Sequence, residues 1–294
     1  MGKRRRVLEE DAVLRAMYEK SKKSLRLNHI LQLITLLTAI ASLVMFFVDD
    51  NRGLDTTVFQ LMQCILALLV FNIPVFISRR YKCYIPNFIT ILLYIFIFMH
   101  FILGEIYRAY DHISLYDKFL HTTSGGVFCL LSLSIVWLFN NSDDGKVKLS
   151  PFFVVLFTFC FTLSLEYLWE IVEYGCDRLF GINMQRWQDS IVETLPNGNT
   201  VHNIPWGNAI ADTLGDMIVN VIGAFVMCTI IYISMKKKPD WFQGKVIMTR
   251  KQFEEIIMKQ DEEAQALKDS EKETEDKSSE EEKQEEKEEE QEQP

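Results

Sequence analysis

Six apolar stretches recur along this chain, at Ile30 to Val48, Val58 to Ile77, Ile85 to Leu103, Phe119 to Phe139, Pro151 to Ile171 and Ile210 to Ser234. A helix rises about 1.5 Å per residue, so each stretch covers the roughly 30 Å of hydrocarbon in a bilayer. Backbone polar groups in lipid must find partners within their own segment, which restricts spans of this kind to helices. The expected fold class is all-α: a polytopic membrane protein with about six transmembrane helices in one bundle. The first span lies too far from the N-terminus, and is too long, to be a cleavable signal peptide.

Charge divides the chain further. Residues 261–294 hold 17 acids against 5 bases, a net of −12, so the rest of the chain carries +3 although the whole sums to −9. The expected organisation is a basic N-terminal arm (1–29), the six-helix domain (30–234), an amphipathic juxtamembrane segment (235–260) and an acidic tail (261–294). The juxtamembrane segment is expected to form an interfacial helix using Trp241, Phe242, Val246, Ile247, Phe253, Ile256 and Ile257. The tail has too few apolar residues to offset chain entropy by burial, and is expected to be disordered or a fraying helix. Nine Lys/Arg precede the first span, three lie in Ser78 to Lys82, two in Asp143 to Lys148, and Lys236 to Lys238 follow the sixth span. With alternating spans these all fall on one side, and the positive-inside rule makes it cytoplasmic, with both termini there. The expected location is the cytoplasmic membrane. Six scattered cysteines without a CxxC exclude a secreted disulfide scaffold. Neither a Gly-rich phosphate loop nor a paired Cys/His zinc pattern is present, and no nucleic-acid partner is expected.

An ionised side chain near the bilayer centre costs roughly 2.5 to 3.5 kcal/mol on insertion scales, so polar residues inside spans carry the functional information. Span five holds Glu166, Glu170 and Glu173 at spacings that share one helical face. Span six repeats the device with Asp212, Asp216 and Asn220, each four residues from the last. Span four opens with Asp117, Lys118 and His121, and span three ends with His100 and Glu105. Spans three and five run outward and four and six inward, so all four clusters reach one extracytoplasmic level. Glu166 lies roughly 23 Å from the inner start of its span, and Asp216 about one and a half turns inside the outer start of its own. The expectation is a polar pocket in the outer leaflet, covered by the Tyr174 to Asn208 loop. That loop offers Gln185 and Arg186 as polar contributors, and Trp187 and Trp206 as interfacial anchors. His202, in PNGNTVHN, is expected to be exposed in a turn.

YDKFLHTTSGG, EYLWEIVEYG, MQRW and DTLGDMIVNVIGA together resemble the YjdF-like bacterial membrane proteins, the family carrying domain of unknown function 2238. HFILGEIYRAY fits the same pattern. More distantly, Asp-Lys-x-x-His, Glu-x-x-x-Glu and Asp-x-x-x-Asn-x-x-Gly resemble the VanZ-like proteins, associated with glycopeptide tolerance. The matching positions are Asp117, Lys118, His121, Glu166, Glu170, Asp212, Asp216 and Asn220. VanZ-like chains often have Gln at the second position of the span-five pair, where this chain has Glu170. The resemblance implies a fold and a location; neither family brings a reaction with it.

Three accounts of the pocket stay open at this stage. In the first, the polar groups form a structural network that fastens helices lacking a hydrophobic driving force in lipid. In the second, the site binds or acts on a lipid or a lipid-linked cell-envelope substrate, with membrane lipids as partners. Asp117, His121, Glu170 and Asp216 would then hold Mg²⁺, Mn²⁺ or Zn²⁺, or His121, Glu166, Glu170 and Asp216 would supply acid–base chemistry. His100, Glu105, Lys118, Glu173, Gln185, Arg186, Asp212 and Asn220 would contact the substrate. The third account is proton-coupled transport, for which the inner half lacks a matching polar set. Ser124 is expected to bond its own backbone rather than act as a nucleophile. Gly125, Gly126, Gly215 and Gly223 are expected to let helices approach closely.

Overall fold

The computed structural model describes residues 2–50, 53–113, 115–140, 149–180, 183–185, 191–194, 200–203, 209–238, 244–268 and 270. The long helices are α1 (Gly2–Val48), α2 (Leu54–Tyr81) and α3 (Asn87–Ile97), which continues as a π-helical segment (Phe98–Ile106). After the short α4 (Ala109–His112) come α5 (Tyr116–Asn140), α6 (Pro151–Phe180) and α7 (Ala209–Lys237). Among the described residues, six helices are long and apolar enough to cross a membrane. The fold is that of an all-α polytopic membrane protein.

The chain separates into two compact units, Met1–Thr249 and Arg250–Pro294. Within the first unit the long helices pack as two trios. In one, α1, α2 and α3 enclose Phe71, Tyr94, Ile97 and Ile102. In the other, α5, α6 and α7 enclose Cys129, Leu133, Val154, Ala224 and Ile231. The second trio is drawn together by glycine. A Cβ on Gly125 would run into the backbone of Asn220 and Ala224, and one on Gly223 into the backbone of Thr122. Lipid offers no hydrophobic drive between helices, so such close backbone contact supplies the dispersion that holds them. Gly126 and Gly215 meet only side chains, of Met227 and Lys118, at ordinary contact distance. The close α5–α7 approach sets the Lys118, His121 and Ser124 face against the Asp212, Asp216 and Asn220 face.

Several boundaries differ from the sequence reading. The basic arm is continuous with the first span, because nothing between Gly2 and Val48 breaks the helix. Span five runs on to Phe180, nine residues past its expected end at Ile171, so the covering loop is shorter than expected. Part of that loop is a hairpin of β2 (Ile191–Thr194) and β3 (Thr200–Asn203). His202 pairs with Val192 there, in a strand rather than a turn. Arg186, Trp187 and Trp206 lie outside the described residues.

The juxtamembrane helix also begins later than expected. Gly244 adopts φ +78, a left-handed conformation that glycine takes without steric cost, and the chain turns there. Met248–Thr249 (β4) then pairs antiparallel with Cys83–Tyr84 (β1), and Ile247 donates its backbone N–H to Ser134 Oγ at 3.2 Å. Val246 and Ile247 are therefore not helical, and Trp241 and Phe242 lie outside the described residues. In the second unit, helix α8 covers 250–268, and its side chains from Met258 onward are exposed. The tail beyond residue 270 lies outside the described residues.

Candidate functional site

His121 stands at the centre of the site, on α5 and buried. Its two ring nitrogens face different carboxylates. Nδ1 lies 2.5 Å from Glu166 Oε1 on α6. With Glu166 as the acceptor the proton of this bond sits on Nδ1, and a neutral ring then keeps its Nε2 lone pair for another partner. On the Nε2 side are Asp117 Oδ1 at 3.6 Å and Asp216 Oδ1 at 3.8 Å. These spacings are too long for hydrogen bonds. They are close to the roughly 3.3 Å edge of a tetrahedron built from bonds of about 2.0 Å.

Glu166 is fully engaged. Its Oε2 accepts from Asn220 Nδ2 at 2.8 Å, and Ser124 Oγ lies 3.3 Å from the same oxygen. Asn220 Nδ2 also reaches Ser124 Oγ and the His121 carbonyl, so one amide on α7 fixes the backs of both partners. Ser124 donates to the His121 carbonyl at 2.7 Å, the backbone bond expected of a serine on a span. Lys118 lies between two acids of α7, with Nζ 2.6 Å from Asp212 Oδ1 and 2.8 Å from Asp216 Oδ2; Asp117 Oδ2 is 3.6 Å away. The ammonium thus occupies one oxygen of Asp216 and leaves the other facing His121.

Buried oxygens without donors mark what the network does not complete. Among the described residues, Asp216 Oδ1, Asn220 Oδ1 and both carboxylate oxygens of Glu170 accept no hydrogen bond. Glu170 Oε1 is 3.8 Å from His121 Nδ1, on the far side of the ring from Asp117 and Asp216. The expected four-ligand set is thereby split. Two groups of three share His121: Asp117, His121 and Asp216, and His121, Glu166 and Glu170. The physical reason is the ring itself, which points its nitrogens apart, so ligands from α5 and α7 meet one and the α6 glutamates the other.

A cavity of about 230 Å³ opens beside the ring. Its polar end is formed by His100, His121, Ser124, Glu166 and Glu173, and its apolar wall by side chains such as Leu93, Phe96, Phe101 and Phe128. Glu173 is held by Trp169 Nε1–H at 2.7 Å. The Trp169 ring meets His100 edge to face, and His100 Nδ1 lies 2.6 Å from the Tyr110 hydroxyl. A Cβ on Gly104 would collide with the Tyr110 ring, so glycine in the π-helical segment makes room for the tyrosine that orients His100. Glu105 is half-buried on the same segment.

Gln185 is buried, and its Nε2 donates to Thr213 Oγ1 at 3.0 Å. It is anchored by Asp177, whose carboxylate accepts the backbone N–H groups of Met184 and Gln185 at 2.6 and 3.2 Å. Sequence reasoning missed Asp177, Trp169, Tyr110 and Thr213. Trp169 was within reach, because it lies four residues before Glu173, the spacing at which side chains on one helix meet. Tyr110 and Asp177 carried no periodic signal.

Helix count, apolar length and a buried histidine–carboxylate cluster together define a multi-pass α-helical membrane protein with a polar site at one end of the bundle. The chain belongs to the family described as predicted membrane protein DUF2238, whose family model matches residues 30–237. No curated protein and no solved structure matches the chain.

Proposed function

We propose that this protein holds a divalent cation on Asp117, His121 Nε2 and Asp216 Oδ1, and uses it on the head group of a lipid or lipid-linked cell-envelope substrate. The observation that carries the proposal is the buried, donorless Asp216 Oδ1 facing the Nε2 side of His121. Buried acceptors are nearly always satisfied in folded proteins, and a cation serves where no donor is present. One nitrogen and two carboxylates suit Zn²⁺ or Mn²⁺ and also allow Mg²⁺. Glu166 and Asn220 support the ring from behind, an arrangement that orients metal-bound histidines generally. Glu166 is therefore a positioning residue. Lys118 and Asp212 set the charge and direction of Asp216. Glu170, buried and without donors, is the acid–base candidate.

The neighbouring cavity suits an amphiphile, having an apolar wall and a polar end at His121. Against transport, the packed interior of α5, α6 and α7 beyond the site is built on Leu133, Val154, Ala224 and Ile231 with Cys129 and Cys228, and holds no second histidine–carboxylate set among the described residues. The excess of Lys and Arg in alternate loops supports a reading in which both termini lie on the cytoplasmic side of the cell membrane and this site faces the opposite side. Metal analysis of detergent-purified full-length protein tests the proposal. Wild type should carry about one equivalent of Zn²⁺ or Mn²⁺, Asp216→Asn should lose it, and Glu170→Gln should keep it. Metal-free wild type after incubation with either ion would sink the proposal.

A further inference from the structure

The opposite end of the bundle holds a second cavity, of about 370 Å³, between α1, α2 and α3. Its volume falls within the roughly 300 to 1,000 Å³ of ligand sites. Arg79 and Lys82 line it where α2 ends, and Met17, Leu25 and Val75 supply apolar wall. Three serines also line it, but their protons are committed: Ser21 Oγ donates to the Met17 carbonyl, Ser24 Oγ to the Ser21 carbonyl and Ser78 Oγ to the Cys83 carbonyl. The exception is Tyr94. Its side chain is 0% exposed, it lines the cavity, and its hydroxyl has no hydrogen-bond partner among the described residues. Tyr94 lies seven residues into α3, about 10 Å from the helix start at a rise of 1.5 Å per residue. The lining therefore includes two cations near the ends of α2 and α3, apolar walls, and a buried donor deeper in the span.

We propose that this cavity binds one anionic phospholipid, with its phosphate against Arg79 and Lys82 and an ester carbonyl accepting from the Tyr94 hydroxyl. A phosphate is strongly bound by a guanidinium and an ammonium together, and attraction of such groups to anionic head groups adds at the membrane surface. An ester oxygen is an acceptor that lies below a phospholipid head group, where a soluble phosphate has nothing to offer. The polar end of the His121 cavity is built from carboxylates and imidazoles instead, so the two cavities select different chemistry.

Thermal unfolding of the full-length protein in a neutral detergent tests this, with dioctanoyl phosphatidylglycerol, dioctanoyl phosphatidylcholine or inorganic phosphate added. Phosphatidylglycerol should raise the unfolding midpoint with an apparent affinity at least about tenfold above phosphatidylcholine, and inorganic phosphate should not raise it. Arg79→Gln/Lys82→Gln should reduce phosphatidylglycerol to the level of phosphatidylcholine, while Lys237→Gln/Lys238→Gln, which removes the same charge elsewhere, should leave its affinity unchanged. Tyr94→Phe, which keeps the ring that packs edge to face on Phe71, should weaken it about fivefold, the loss of one hydrogen bond. Equal binding of the two lipids, equal loss in both charge variants, protection by inorganic phosphate alone, or an unchanged Tyr94→Phe would each overturn the proposal.

Discussion

The two helix trios bury polar groups of different kinds. In α1, α2 and α3 they are mostly neutral and close on their own helix: Thr35 Oγ1 donates to the Leu31 carbonyl, Thr38 to that of Ile34, Thr90 to that of Pro86. In α5, α6 and α7 they include a histidine and five acids beside the half-buried Lys118, and His121, Glu166, Asp212 and Asp216 are held by partners on other helices. A hydroxyl satisfied by its own helix costs little in lipid and needs no function. Ionisable groups cost several kcal/mol on the order of the insertion penalty, and are retained where they bind or react. The contrast separates a scaffold from a site.

Removing Lys118 should give the largest effect, because Lys118→Met leaves Asp212 and Asp216 buried without their cation. A loss of about 3 to 5 kcal/mol is expected from breaking a buried pair on one side. Unfolding followed in detergent checks it, and adding Asp212→Asn should recover part of the loss; no change in stability would mean the ion pairs are not formed. Next is Gly223→Ala, whose new methyl meets the Thr122 backbone, which cannot yield. Overpacking should cost about 1 to 3 kcal/mol, whereas Gly126→Ala, facing only the end of Met227, should stay near wild type. Comparable midpoints for the two alanines would contradict the close α5–α7 approach.

Glu166→Gln sharpens the positioning role. Metal affinity should fall about 10- to 100-fold while the protein stays folded, as titration with a competing chelator would report. The smallest effect belongs to the scaffold: Thr35→Val should cost no more than about 0.6 kcal/mol, because the lost bond is local to one helix. A loss matching that of Lys118→Met would erase the distinction between the trios.

The spans were legible because about 20 apolar residues in a row have few other solutions in a folded chain. Convergence of Asp117, His121, Glu166, Glu170, Asp212, Asp216 and Asn220 was also legible, since helical spacing and alternating direction fix both face and depth. Rotation of the imidazole was not. Sequence spacing places His121 near all the acids but says nothing of which nitrogen each one meets, so Glu170 was grouped with Asp117 and Asp216 although it lies across the ring. The continuation of α6 to Phe180 escaped for a similar reason: EYGCDRLF is polar enough to read as loop, yet it contains no proline to stop a helix. Tyr94 and its cavity could not be anticipated, because a tyrosine in an apolar run looks like any other core residue.

X-ray absorption at the zinc edge of the Zn²⁺-loaded protein tests the central claim most directly. The arrangement predicts one imidazole nitrogen with oxygen neighbours at about 2.0 to 2.2 Å, and loss of the imidazole signal in His121→Ala. A thiolate shell near about 2.3 Å, a spectrum without imidazole, or no retained zinc would contradict it.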